Sequence, residues 1–252
     1  MADQRADPEW NATVYHQVSE PQFRWGIEVL GQLELNGDET VIDAGCGTGR
    51  LTAELAKRLP RGHVIALDAS DAMLEKARET LKPFGDRVTC LRADLAALEL
   101  APQADVVFST ATFHWVKDHD ALFRGVHRAL KPGGRLHAQC GGFGNLKAHL
   151  ATALGVLGLR TFDYPTNFAT AEESVERMTR AGFSDARAWL RAAPTPFTDA
   201  QAFRAFVATV TMRTVTGMLG DQANAFLDDV TRASSPGYTL DYVRLELRAV
   251  RR

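Results

Sequence analysis

The stretch Val41-Ile42-Asp43-Ala44-Gly45-Cys46-Gly47-Thr48-Gly49-Arg50 decides how this chain is read. An apolar run ends at Ala44, a Gly-x-Gly-x-Gly turn follows, and a helix-like segment continues to about residue 59. A strand, a tight turn and a helix in that order bring bare backbone against a ligand, because Gly45 and Gly47 carry no Cβ to block close approach or positive φ. The turn predicts a site for a nucleoside-bearing cofactor; its plainest alternative is a strand-to-helix connection with no ligand.

Glycine spacing separates two cofactor classes. A dinucleotide fingerprint reads G-x-G-x-x-G, with the helix N-terminus aimed at a pyrophosphate. Counted from Gly45, it needs glycine at position 50, where this chain has Arg50; the third glycine is Gly49. NAD and NADP are therefore not expected. The next strand, His63-Val64-Ile65-Ala66-Leu67, ends in Asp68, 19 residues after Gly49. A carboxylate at that tip can accept hydrogen bonds from both hydroxyls of a ribose. Capping the helix that starts at Asp71 is the other role open to Asp68, or to Ser70. The third strand, Val88 to Arg92, leads into Ala93-Asp94-Leu95, where Asp94 is either a ligand contact or a solvated loop carboxylate.

Composition narrows the class. The chain has 252 residues, 45% hydrophobic and 24% charged, with a formal charge of −2, which suits a soluble α/β enzyme and no nucleic-acid partner. The first residues lack the apolar core of a signal peptide, and no run approaches the roughly 20 apolar residues of a membrane span. A cytoplasmic location and no membrane partner are expected. Cys46, Cys90 and Cys140 are scattered and read as buried free thiols, and neither cysteines nor histidines show metal-ligand spacing, so no metal is expected.

From residue 40 to about 140, apolar strands near 40–44, 63–67, 88–92, 104–109 and 134–140 alternate with helices near 49–59, 71–82 and 118–130. That alternation predicts an α/β fold, a Rossmann-like doubly wound sheet with helices on both faces. Later segments read as a helix over 147–158, a helix over 172–183 leading into a strand from Ser184 to about Ala192, helices over 199–218 and 221–233, and a strand over 238–248. The organisation expected is amino-terminal helices over 1–35, a cofactor-binding core over 36–145, and completion of the sheet over 146–252 with a helical insert near 195–235.

The glycine turn, Asp68, Asp94, Asp105-Val106-Val107-Phe108-Ser109 and the phrase Leu130-Lys131-Pro132-Gly133-Gly134 resemble, in order and spacing, the class I S-adenosylmethionine-dependent methyltransferases. Trp10 to Tyr15, Phe113-His114-Trp115-Val116 and the insert look more narrowly like the trans-aconitate methyltransferase group, which makes methyl esters of small acids. The resemblance implies a seven-stranded sheet whose last strand is antiparallel, S-adenosylmethionine as cofactor, and a small-molecule substrate. It also implies cofactor contacts from Asp43, Gly45, Cys46, Gly47, Asp68, Ala69, Met73, Ser109 and Thr110, with Asp94 and Leu95 at the adenine. Trp10 and Tyr15 would belong to a lid over the cofactor, or pack on the surface. Gly141-Gly142-Phe143-Gly144-Asn145 departs from the pattern, being glycine-rich where a bulkier, more polar segment is expected.

Methyl transfer from a sulfonium needs collinear nucleophile, methyl and sulfur in a dry pocket. A carboxylate acceptor needs no base, whereas a hydroxyl or amine often does, and His114 is the histidine placed for that work; packing is its other role. Trp115 is expected in a pocket wall. Arg24, Arg160 and Arg213 are the candidate cations for an anionic substrate. O-methylation of a carboxylate or hydroxyl is the expected reaction, with a cofactor-binding module without turnover, or transfer to a nitrogen or carbon acceptor, as the alternatives.

Overall fold

A computed structural model describes residues 20–161 and 166–252. Nine strands are formed there: β1 (Thr40–Ala44), β2 (His63–Asp68), β3 (Val88–Arg92), β4 (Ala104–Thr110), β5 (Leu130–Gly141), β6 (Phe183–Ala192), β7 (Thr195–Pro196), β8 (Thr239–Leu240) and β9 (Val243–Arg251). Seven of them make one sheet in the order β3-β2-β1-β4-β5-β9-β6, and β7 pairs with β8 separately. Every neighbour pair from β3 to β5 is parallel, while β9 runs antiparallel to both β5 and β6. The expected sheet is the one formed.

The central strands are largely apolar because both faces are covered, successive side chains entering opposite cores. Val106 and Phe108 of β4 pack with Val29 and Leu30 of α1 (Glu20–Gly31) and Leu55 of α2 (Arg50–Lys57), while Val107 points to the opposite core. That second core is closed by Leu122, Phe123 and Val126 of a helix over His119–Ala129 and by Met178 of a helix over Ala171–Arg180. Lys131 to Gly134 loops out of β5, since Ala104 pairs with Leu130 but Val106 pairs with Arg135.

Two expectations for the carboxyl-terminal third are corrected. The helix expected over 199–218 is broken into Ala200–Phe206 and Arg213–Leu219 by a π turn over Val207–Thr211, where Met212 N–H reaches back five residues to Val207 O at 2.8 Å. Crowded β-branched side chains at Val207, Thr209, Val210 and Thr211 account for the wider turn. The strand expected over 238–248 is likewise two strands. Asp241 leaves the ladder because its carboxylate accepts from Ala148 N–H at 2.7 Å and His149 N–H at 3.1 Å, capping the helix over Lys147–Leu157. The broken helices, this capped helix and Trp25 of α1 share a third hydrophobic core. Among the described residues, no helix is long and apolar enough to cross a membrane.

Candidate active site

In this strand order the chain leaves the sheet centre in opposite directions after β1 and β4, which opens a crevice at their carboxyl ends. The glycine turn lies there. Gly45 N–H and Cys46 N–H both donate to Leu67 O at 2.8 Å, tying the turn to the end of β2. Gly45 has φ +86, and a Cβ on it would stand 2.1 Å from Thr112 Oγ1 in the loop after β4, so only glycine lets the two loops meet. Gly47 differs: at φ +53 a Cβ would face open space.

Asp68 fastens the floor of the crevice. Its Oδ2 accepts from Gly47 N–H and its Oδ1 from Ser70 N–H, each at 2.9 Å. Ser70, with its Oγ accepting from Met73 N–H at 3.3 Å, is the cap of the helix over Asp71–Leu81. The capping alternative therefore falls to Ser70, and Asp68 keeps two acceptor sites for a ligand. Burial raises the Asp68 pKa against the pull of the Ser70 and Gly47 amides. Asp94 Oδ1 accepts from Ala96 N–H at 2.9 Å, heading the short turn Leu95–Ala97.

A cleft of about 670 Å³ opens between these loops. Its wall brings together Gly45, Cys46, Gly47, Asp68, Ala69 and Met73 with Asp94, Leu95, Thr110 and Trp115. Volume, the open face of Gly47 and the spare acceptors of Asp68 and Asp94 suit a nucleoside with a short amino-acid tail. No cradle of successive amides for a pyrophosphate is needed to hold such a ligand.

Several expected residues stand elsewhere. Asp43 is buried beneath the turn, where its Oδ2 accepts from Thr52 Oγ1 at 2.7 Å, and burial, opposed by that bond, pushes its pKa up to about 7. Ser109 Oγ is turned back to donate to Ala44 O at 2.6 Å. Neither reaches the cleft wall, because alternation along β1 and β4 sends both side chains into the packing between strands and helices. Arg24 and Arg160 are exposed and Arg213 is half-buried, and none of the three lines the cleft or the pocket beside it. Trp10 and Tyr15 lie outside the described residues. Burial raises the Cys46 thiol well above its ordinary range and pushes Cys140 up to about 12, so neither is a thiolate nucleophile.

A second, smaller pocket of about 40 Å³ adjoins the cleft, sharing Gln22, Ala111 and Trp115 with it. His114 lies in its wall, stacked on Phe168 with ring centroids 5.7 Å apart. Gly141 N–H donates to His114 Nδ1 at 3.2 Å, so the ring hydrogen sits on Nε2. Burial, then Arg244 and His119, hold the imidazole pKa well below its ordinary value. A neutral ring with its one lone pair already engaged is a hydrogen-bond donor, and the general-base role expected of His114 is not available to it. The wall also holds Arg244, which the sequence reading passed over. Its signal was present: in Val243-Arg244-Leu245-Glu246-Leu247-Arg248 the charged residues alternate on a strand with neighbours on both sides, so they cannot all face water.

Residues 41–134 match the family model for a methyltransferase domain. A trans-aconitate 2-methyltransferase of Methylobacterium nodulans is 31% identical over 186 residues, covering 73% of this chain and 68% of that protein. The chain belongs to the class I S-adenosylmethionine-dependent methyltransferases. A second trans-aconitate 2-methyltransferase, from an Azoarcus species, is 35% identical over 132 residues, which span 52% of this chain and about half, 51%, of that relative. Among solved structures, phosphoethanolamine N-methyltransferase 2 of Haemonchus contortus with S-adenosylhomocysteine bound shares the fold at a TM-score of 0.64 and 18% identity, over 95% of this chain and 57% of that one. The [4+2]-cyclase SpnF shares it at 0.61 and 18% identity, over 90% of this chain and 80% of that one, so the fold alone does not specify a reaction. S-adenosylmethionine is the family's cofactor, and the cleft suits it.

Proposed function

We propose that this protein methylates an oxygen of a small metabolite, a carboxylate in preference to a hydroxyl. The supporting observation is the small pocket beside the cofactor cleft, whose histidine donates and cannot take a proton. S-adenosylmethionine supplies, when bound, a methyl group on a sulfonium that an electron pair can displace. Asp68 and the Gly45 to Gly47 backbone hold the nucleoside, Asp94 and Leu95 receive the adenine, and Trp115 and Ala111 stand where cleft and pocket join. The aromatic face of Trp115 also suits a neighbouring cation. A carboxylate acceptor brings its own electron pair: one C–O bond forms, one C–S bond breaks, and no proton moves. A hydroxyl would need a base, and no histidine or carboxylate among the described residues lines the small pocket with a lone pair to spare for one.

The test is transfer of methyl-labelled S-adenosylmethionine to a panel of small acids, alcohols, phenols and amines, with the labelled product isolated and saponified. Base-labile label on acids supports the reading. Label retained by the cofactor with every acceptor, or label on nitrogen, overturns it.

A further inference from the structure

The cation missing from the sequence reading is Arg244, and its setting is unusual for an arginine. It lies on β9, between β5 and β6, and is only 2% exposed. The guanidinium sits over the Trp25 ring, 4.6 Å from its centroid, and Nε donates to Gln139 Oε1 at 3.0 Å. Nη2 is buried with no acceptor among the described residues. A buried guanidinium without its full set of acceptors is costly, so its charge calls for a partner.

The protein's own carboxylates do not supply one. Glu246, two residues along on the same face of β9, is buried and already committed: Gln139 Nε2 donates to its Oε1 at 2.7 Å, Arg191 stands 3.7 Å from the same oxygen, and Arg248 stands 3.5 Å from Oε2. Arg191 also pairs with Glu28 at 3.3 Å, so Glu246 directly faces two arginines, Arg191 and Arg248. Arg244 meets Glu246 only through the Gln139 amide, which accepts from Arg244 on one side and donates to Glu246 on the other.

What surrounds Arg244 limits what its partner can be. It is the one charged residue among the described residues lining the small pocket, which has room for roughly three heavy atoms at about 40 Å³. His114 offers a hydrogen-bond donor there, and the remaining walls set Leu146, Phe168 and Val210 beside the uncharged polar Asn145, Thr166 and Thr211. One of the glycines that departed from the family pattern shapes this wall. A Cβ on Gly141 would lie 2.8 Å from Phe168 Cε1 and 3.0 Å from Asn145 Nδ2, so the glycine lets the Phe168 ring and the Asn145 amide close against the strand end.

Resting on the methyl-transfer reading above, we propose that Arg244 and His114 receive a single carboxylate of the acceptor, and that the acceptor is a monocarboxylate on an apolar or aromatic body. Among the described residues the pocket offers one cation, so a second carboxylate of the acceptor would find no charged partner within it. This acceptor class differs from the one that the name of the trans-aconitate relatives describes. Arg244 is assigned as the specificity-determining residue.

Calorimetry on the full chain saturated with S-adenosylhomocysteine separates this proposal from the reading beneath it. The titrants are monocarboxylates from butyrate to phenylpropionate, the matching neutral amides, and trans-aconitate. We expect the best acid to bind roughly 10- to 100-fold more tightly than its amide, as for a lost charged hydrogen bond, and more tightly than trans-aconitate. Arg244→Leu should remove that advantage while S-adenosylhomocysteine affinity stays within about twofold. Should Arg244→Leu fail to fold, the acid–amide contrast in the native protein decides. The proposal is overturned if no monocarboxylate outbinds its amide, if trans-aconitate binds best, or if folded Arg244→Leu still prefers acids. Failure of S-adenosylhomocysteine itself to bind would instead strike the methyltransferase reading.

Discussion

The cofactor cleft and the pocket beside it are built in different ways. The cleft is lined mostly by short segments at the ends of β1, β2, β3 and β4, with the glycine turn among them. The pocket gathers side chains from Gln22 to Arg244, with His114, Asn145, Phe168 and Val210 between them in the chain. A site built from backbone at strand ends constrains residue type, because glycine or a carboxylate must stand at set positions. A site built from distant side chains leaves each position free to vary, and its chemistry emerges only when the sheet assembles. Substitutions in the first region should therefore disturb cofactor binding and leave acid recognition alone, and substitutions in the second should do the reverse.

The harshest way to break the first region is Gly45→Ala. Its φ of +86 and the 2.1 Å approach of Thr112 Oγ1, with Thr112 Cβ at 2.6 Å, combine left-handed strain with a collision against a short side chain that has little room to turn away. We expect roughly 3 kcal/mol or more of lost stability and cofactor affinity reduced beyond about 100-fold. Gly47→Ala is the control. With open space around its Cβ, its stability cost should stay near 1 kcal/mol, read by chemical denaturation. Equal losses in the two variants would show that the turn is not set by contact with the loop after β4.

A buried group beneath the same turn gives a pH signature. The folded-state pKa of Asp43 is pushed up to about 7 from 3.8 by burial, so the folded protein holds a proton that the unfolded chain has released. Between those values stability falls as pH rises, by up to about 1.4 kcal/mol per unit, or about 4 kcal/mol over the window. His149, lowered to about 4 by burial, acts oppositely over pH 4 to 6.5, since there the unfolded chain binds the proton. Comparing native protein with Asp43→Asn from pH 4 to 8 cancels the histidine contribution. The difference between the two should shrink at low pH and grow in favour of Asp43→Asn towards pH 7; a constant difference would refute the raised pKa.

The contrast between regions also marks what could be read before the fold was known. Strand ends at Ala44, Asp68 and Arg92 and the turn glycines were legible, because period, glycine and acid at a strand tip are local properties, whereas the antiparallel course of the last strand came from the family resemblance. Asp43 was misplaced because alternation from the Gly45 turn inward points its side chain under the loop, towards Thr52, and no local cue shows that. Arg244 was not among the candidate cations, and charge on an alternating strand is ordinarily solvent-facing. That expectation fails on β9, which has strands on both sides and α1 across the face that carries Arg244, with Trp25 against the guanidinium.

Asp68→Asn sharpens the comparison with a moderate effect. One oxygen of the carboxylate becomes a donor facing either Gly47 N–H or Ser70 N–H, and acceptors for the ribose are lost with it. Cofactor affinity should fall by roughly 10- to 100-fold. Acid binding in the adjoining pocket, measured with the cofactor product held at saturation, should be unchanged. A shift in acid affinity comparable to the cofactor loss would mean that the two regions act as one.

The smallest effect expected is at Asp94, and its size is itself informative. Asp94 is exposed at the rim, and one oxygen is occupied by Ala96 N–H at 2.9 Å, leaving the other for an exocyclic amine. In water-accessible surroundings a single bond contributes little, so Asp94→Asn should weaken the cofactor only about three- to tenfold. Asn keeps one oxygen for the cap and turns its amide group towards the amine, so the loss reflects the adenine contact and leaves the short turn intact. Inosine-type cofactor analogues, with a carbonyl in place of the amine, make the check: they should bind Asp94→Asn at least as well as the native protein. If the native protein prefers the inosine analogue, the adenine does not sit against Asp94, and the cleft's orientation of its ligand must be redrawn from the Asp68 end alone.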